Sequence, residues 1–205
     1  MQKIFKSITA FIILSLILAG TAFAQPNPVD ELNSIANQLI NKLKQNKTNL
    51  RDNPELVYSL ATNIVLPHAD IDEMAKRVLP PRTWNSSSAA QRADFKKQFS
   101  TLLVRTYASA LANYSDQTVR FFPVRGGYQG KSNLEVNSQI DRPDGPPVKV
   151  NYRLVYKGSW KIYDLNVEGI SMLGSFRSQF ADQLANGNID ALIQTLKEHN
   201  SGSNS

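Results

Sequence analysis

The sequence predicts an α+β domain in which several helices wrap a twisted four-stranded antiparallel sheet. Two patterns and one spacing lead there. From Val29 to Tyr114 apolar residues recur at intervals of three and four, the helical period, whereas from Val119 to Val167 they alternate with polar residues. The connections between the alternating stretches are too short for crossover helices, so the strands form a meander. Such a sheet has one apolar face that needs cover, and the helices are the elements available to supply it.

Composition sets the outer bounds. The chain has 205 residues, enough for one domain with a substantial core, with 41% hydrophobic and 20% charged residues. There is no cysteine, so stability rests on the core and thiolate chemistry is excluded. The formal net charge is +6, yet Lys and Arg are dispersed among acidic residues rather than gathered in a run, which reads as a solvated surface and not as a nucleic-acid site.

The N-terminus has the form of a secretory signal peptide. Lys3 and Lys6 precede an apolar stretch from Ile8 to Leu18, too short to span a bilayer, and Ala22-Phe23-Ala24 offers small residues for cleavage before Gln25. Thr21 stands where a lipoprotein signal would carry cysteine. Residues 1–24 are therefore expected to be removed, leaving 21 basic residues against 17 acidic ones, a single domain over residues 25–199, and a disordered polar tail over 200–205.

Val29, Leu32, Ile35, Ala36, Leu39, Ile40 and Leu43 share one face of a first helix. Asn53-Pro54 reads as an N-cap followed by proline at the first helical position, opening a helix with Leu56, Leu60 and Ile64 that Pro67 ends. A short helix over 70–79 is stopped by Pro80-Pro81, and Trp84 is expected in the loop that follows. The longest helix spans 89–114, with Phe95, Phe99, Leu102, Leu103, Thr106, Tyr107, Ala110, Leu111 and Tyr114 in one stripe.

Val119 and Phe121 begin the strands. Leu134, Val136 and Ile140 follow a Gly126-Gly127 turn, and Val148, Val150, Tyr152, Leu154 and Tyr156 follow a turn over 141–147; Gly158 then turns the chain into a last strand from Trp160. The organising stretch is Tyr163 to Phe180. Tyr163, Leu165 and Val167 alternate, whereas Ile170, Leu173, Phe176 and Phe180 have helical spacing; Gly169 marks the change and Ser171 fits the N-cap of the next helix. A final helix runs from Ile189 to Lys197.

Val167-Glu168-Gly169-Ile170-Ser171-Met172, followed by Arg177 and Phe180, resembles the most characteristic segment of the MlaC family, also called the toluene-tolerance family. Val65-Leu66-Pro67-His68-Ala69-Asp70, Met74 to Leu79 with Trp84, and Gln91-Arg92 with Phe95, Phe99 and Tyr107 extend the match over nearly all of the mature chain. Pro80-Pro81 departs from it, since a glycine is expected after Leu79. The resemblance implies a periplasmic, non-enzymatic phospholipid carrier shuttling between an outer-membrane lipoprotein complex and an inner-membrane ABC-transporter complex, and so maintaining outer-membrane lipid asymmetry. It also implies a sheet related to the nuclear-transport-factor cone.

Two other readings compete. Gly169-Ile170-Ser171-Met172-Leu173-Gly174 suggests a nucleophile elbow, with His68 as base for a serine hydrolase, but an elbow needs its second glycine one residue earlier. Asp164 and Glu168 can be placed on one strand face as paired carboxylates. Two isolated histidines offer no transition-metal site, and no phosphate-binding fingerprint is present, so no cofactor is expected. The second competitor is an envelope interaction module with a filled core and no ligand.

A carrier must keep acyl chains from water, where roughly 0.8 kcal/mol per methylene over about 14 methylenes amounts to about 11 kcal/mol per chain. An apolar cavity between sheet and helices meets that need. Its expected lining is Phe99, Leu103 and Tyr107 from the long helix; Phe121, Val150, Tyr152, Leu154 and Val167 from the sheet; and Ile170, Met172 and Phe176 from the organising stretch. Arg177 is placed to meet a headgroup phosphate. The same side chains would equally form a closed core. A phospholipid ligand and a monomeric carrier complete the expectation.

Overall fold

The computed structural model describes residues 24–114, 116–185 and 188–202. The signal peptide, apart from Ala24, lies outside them. Helix α1, Pro28–Gln45, starts where sequence chemistry favours it. Asn27 Oδ1 accepts from Val29 N at 3.0 Å, Pro28 takes the first position, Asp30 and Glu31 lie in the first turn, and Lys42 and Lys44 lie in the last. Helix α2, Pro54–Leu60, is capped by Asn53, whose Oδ1 accepts from Leu56 N at 3.1 Å. The chain then loosens into a π turn at Ala61–Val65 and a 3-10 turn at Leu66–His68. Pro67 is thus passed through by a tighter turn and does not end the segment.

Helix α3, Ile71–Val78, is capped by Asp70, whose Oδ1 accepts from Glu73 N at 3.0 Å. The double proline separates it from α4, Pro81–Ser86: Pro80 has an extended ψ of 139°, and Pro81 is the first residue of the new helix. Trp84 is therefore helical and not in a loop, because proline is as good at opening a helix as at closing one. Arg92 lies over the Trp84 ring at 4.9 Å and its Nε donates to Trp84 O at 3.0 Å. Helix α5, Ala89–Ala112, opens with a reciprocal capping box: Gln91 N donates to Ser88 Oγ at 3.2 Å and Ser88 N to Gln91 Oε1 at 2.9 Å.

The strands are β1 Thr118–Phe121, β2 Asn133–Arg142, β3 Gly145–Tyr156, β4 Trp160–Val167 and β5 Ile170–Ser171, antiparallel and adjacent in chain order. The architecture is the α+β one expected, with two differences. The broad turn expected over 141–147 contracts to Pro143-Asp144 between paired strands, with Arg142 donating twice to Pro146 O at 2.9 and 2.7 Å. A fifth strand replaces a direct passage from strand to helix. Glu168 and Gly169 have φ of 50° and 88°, the paired positive values of a two-residue hairpin turn, so Ile170 returns along β4 before the helix begins.

Helices α6, Met172–Ala185, and α7, Ile189–Gly202, close the chain. Residues 200–202, expected in a polar tail, belong to α7: Asn200 is buried and its Nδ2 donates to Gln98 O at 3.0 Å and Gln98 Oε1 at 3.1 Å; the rest of that expected tail lies outside the described residues. Helices α3, α5, α6 and α7 enclose an aromatic core around Phe95, Phe99, Phe176 and Phe180. Helix α1 lays Leu32 on the sheet against Val136, Leu154, Trp160 and Ile162. A third cluster joins Leu43, Leu50, Val57, Leu60, Ala108 and Tyr114.

Candidate functional site

One face of the sheet is assembled from the alternating residues in register. Phe121 pairs with Ser138, Ser138 with Val150, Val150 with Val167, and Val167 with Ile170, so a single row crosses all five strands. The next row holds Val136, Tyr152 and Leu165; the row beyond it holds Leu134, Leu154 and Ile162; on the other side lie Val119, Ile140 and Val148. Burial is graded along this face. Val136, Leu154 and Ile162 are shut in beneath α1, whereas Val119, Ile140 and Val148 are half-buried and Ile170 is 66% exposed. The apolar face is therefore closed at the Leu154 end and open at the Ile170 end.

Tyr152 is half-buried, its ring centroid 5.3 Å from that of Phe121. Burial pushes its phenol up, with a hydrogen bond shared with the Ser138 side chain partly opposing the shift, while the Ser138 hydroxyl donates to Val150 O at 3.2 Å.

The residues predicted to line a pocket divide between two places. Phe121, Val150, Tyr152, Leu154, Val167 and Ile170 share the sheet face just described. Phe99, Leu103, Met172 and Phe176 belong to the aromatic core, where the Phe99 ring stands edge-on to Phe176 at 5.6 Å and to Phe180 at 5.8 Å. Helical spacing put these side chains on one stripe but did not say which layer the stripe faces. Tyr107, 36% exposed, is neither; burial raises its phenol and the nearby Asp164 charge adds to that. Arg177 is exposed and has no ion pair among the described residues.

The junction after β4 is fixed by a buried carboxylate. Asp164, 1% exposed, accepts from Ser171 Oγ at 2.7 Å, from Leu173 N at 3.0 Å and from Arg153 Nη1 at 3.2 Å. Ser171 Oγ in turn accepts from Gly174 N at 2.9 Å, the capping bond expected of it. Its hydroxyl is committed on both sides, and the charged neighbours of His68 are Lys161 and Glu31. The Glu168 carboxylate accepts from Lys149 N at the hairpin and shares none of the hydrogen bonds given for Asp164.

Sequence reading missed Ser138, Leu165, Ile140 and Val148. Their signal is the register fixed by the two-residue β2–β3 turn, which places Ser138 beside Val150 in an otherwise apolar row. Two open clefts lie elsewhere, one of about 470 Å³ among Asp70, Asp72, Lys96, Lys97, Lys157 and Lys161, the other of about 530 Å³ bordered by Phe122, Arg125 and Lys149. No group of His, Asp and Glu is placed to hold a metal among the described residues, and no helix there is long and apolar enough to cross a membrane.

A family model described as MlaC protein matches residues 33–198. The intermembrane phospholipid transport system binding protein MlaC of Haemophilus influenzae is 28% identical over 197 residues, 94% of this chain and 91% of that protein. The toluene tolerance protein ttg2D of Pseudomonas putida is 29% identical over 167 residues, 80% of this chain and 77% of that protein. Among solved structures, the phospholipid-binding protein of Ralstonia solanacearum, in complex with a phospholipid, superposes with a TM-score of 0.79 at 28% identity, covering 88% of this chain and all of that one.

Proposed function

The chain belongs to the MlaC family, and on that premise we propose that it binds phospholipid and carries it across the periplasm between an outer-membrane lipoprotein complex and an inner-membrane ABC-transporter complex, without catalysis. The observation that carries this reading is the five-strand row Phe121–Ser138–Val150–Val167–Ile170, on a face that grades from buried Val136 and Leu154 to exposed Ile170. An acyl chain entering at Ile170 meets a continuous apolar surface, and its transfer from a bilayer requires only that this surface match the bilayer interior. Ser138 and the Tyr152 hydroxyl supply the few polar groups of such a site. At the open end a headgroup remains in water, so selection among headgroups is weak. Arg177, on the first turns of α6, is the cation offered to the phosphate. The relatives named as phospholipid-binding or intermembrane transport proteins support the ligand class.

Native mass spectrometry of the gently purified mature protein, followed by solvent extraction, tests the proposal. A stoichiometric added mass that extracts as phospholipid supports it. A clean apo mass assigns the chain to a ligand-free interaction role. Release of fatty acid or lysolipid, lost on Ser171→Ala, would instead assign hydrolysis.

A further inference from the structure

The opposite face of the sheet is largely polar around Asn137, Gln139, Lys149 and Asn151. Phe122 is 39% exposed there, with the Arg120 guanidinium 5.6 Å from its ring centroid, beside a cleft of about 530 Å³ whose lining also includes Arg125, Asn137, Gln139, Lys149 and Asn151. A large apolar ring exposed on an amide-rich face loses free energy to water unless something covers it. The register sets Asn137 opposite Asn151 and Gln139 opposite Lys149, so amides and a cation stand side by side on neighbouring strands. Each amide offers both donors and acceptors.

The charges of this face are unequally satisfied. Glu135 is engaged by Arg153 and Asn151, Asp141 by Arg120 and Gln139, and Glu168 by the main-chain N–H of Lys149. The Arg125 guanidinium and the Lys149 ammonium have no ion-pair partner among the described residues. No acidic residue lines the cleft.

We propose that this cleft is a second binding site, for an anionic, hydroxyl-rich ligand: a sugar bearing a carboxylate or a phosphate. Phe122 covers an apolar sugar face, the amides exchange hydrogen bonds with its hydroxyls, and Arg125 and Lys149 take the anion through charge-assisted bonds. The site is on the other side of the sheet from the lipid face and does not rest on the lipid reading.

The test is an NMR titration of the mature protein with four probes: a uronic-acid trisaccharide, a hexose 6-phosphate, a neutral trisaccharide and triglutamate. At least one of the two acidic sugars binds ten-fold or more tightly than the neutral one, with perturbed resonances at Phe122, Arg125, Asn137, Gln139, Lys149 and Asn151, and the tighter of the two identifies carboxylate or phosphate as the anion. The double variant R125Q/K149Q reduces acidic-sugar affinity to that of the neutral sugar, and F122S weakens both about ten-fold. Neither variant changes co-purifying phospholipid. Equal binding of neutral and acidic sugars, perturbations confined to other residues, or no binding of either acidic sugar at millimolar concentration overturns the proposal. Triglutamate binding more tightly than either sugar also overturns it and assigns the cleft to an acidic peptide.

Discussion

Ser171 gives its hydroxyl proton to Asp164 at 2.7 Å, and the two side chains between them satisfy the first N–H groups of α6. Asp164 is buried and also meets Arg153, so its removal leaves Leu173 N without a partner and weakens the tie between sheet and helix. Asp164→Ala should cost about 3 kcal/mol in urea denaturation, within the range for breaking a buried charged network. Ser171→Ala should cost about 1 kcal/mol, the usual loss of a cap, and leave bound phospholipid unchanged. A Ser171→Ala protein of normal stability that holds no lipid would contradict the capping role.

Val150 lies at the centre of the five-strand row and is 4% exposed, between Ser138 and Val167. Adding volume there alters the middle of the row without introducing a charge. Val150→Phe should reduce co-purifying phospholipid several-fold at a stability cost of about 1–3 kcal/mol. Val150→Asp should abolish lipid retention. Ile170→Asp, at an exposed position, should leave stability within about 0.5 kcal/mol and weaken lipid capture, which separates a folding defect from a binding defect. Full lipid occupancy in both Val150 variants, with the fold intact, would place the acyl chains elsewhere.

Much of this fold is legible because its signals are local. Asn53-Pro54 and Ser171 cap helices as their chemistry predicts, and the alternation through Val148–Tyr156 gives the apolar face of β3 directly. The errors arise where a local signal has two structural meanings. Pro80-Pro81 both ends α3 and begins α4, so Trp84 is helical. Gly169 reads equally as a strand-to-helix turn or a hairpin turn; Glu168 at φ 50° selects the hairpin and moves Ile170 into β5. The helical stripe through Phe99 and Leu103 is real, but three layers compete for it, and only tertiary packing assigns it to the core under α6 and α7.

That assignment has a measurable consequence. Phe99 is fully buried and packs against the rings of Phe95, Phe176 and Phe180, so Phe99→Ala leaves a cavity with no side chain free to fill it. The expected cost is about 3–5 kcal/mol. Tyr107, 36% exposed on the same helix, should lose about 1 kcal/mol or less on the same change. Chemical denaturation of the two variants, with lipid extracted from each, distinguishes a core residue from one bordering the ligand. Comparable losses for both would mean that the helix faces one continuous core.

His68 makes stability depend on pH in one direction. Burial holds its imidazole below the usual 6.5, the Lys161 charge adds to this, and Glu31 opposes it. Lys161 is kept close by its ammonium donating to Pro67 O at 2.9 Å. Because the folded value is depressed, the unfolded chain takes up a proton at this histidine first as the solution is acidified. The native state is then fully favoured above pH 6.5 and loses stability as pH falls from there through the lower folded value. His68→Gln removes the titration, so the stability of the natural protein relative to this variant should decline between pH 7.5 and 5, above the range where most carboxylates protonate. Lys161→Gln should reduce the slope without abolishing it, since burial is the larger cause. Urea midpoints of the three proteins across that range are the measurement; a flat difference would mean that Glu31 cancels the effect of burial, and one that grows on acidification would mean that Glu31 outweighs it and favours the charged imidazole.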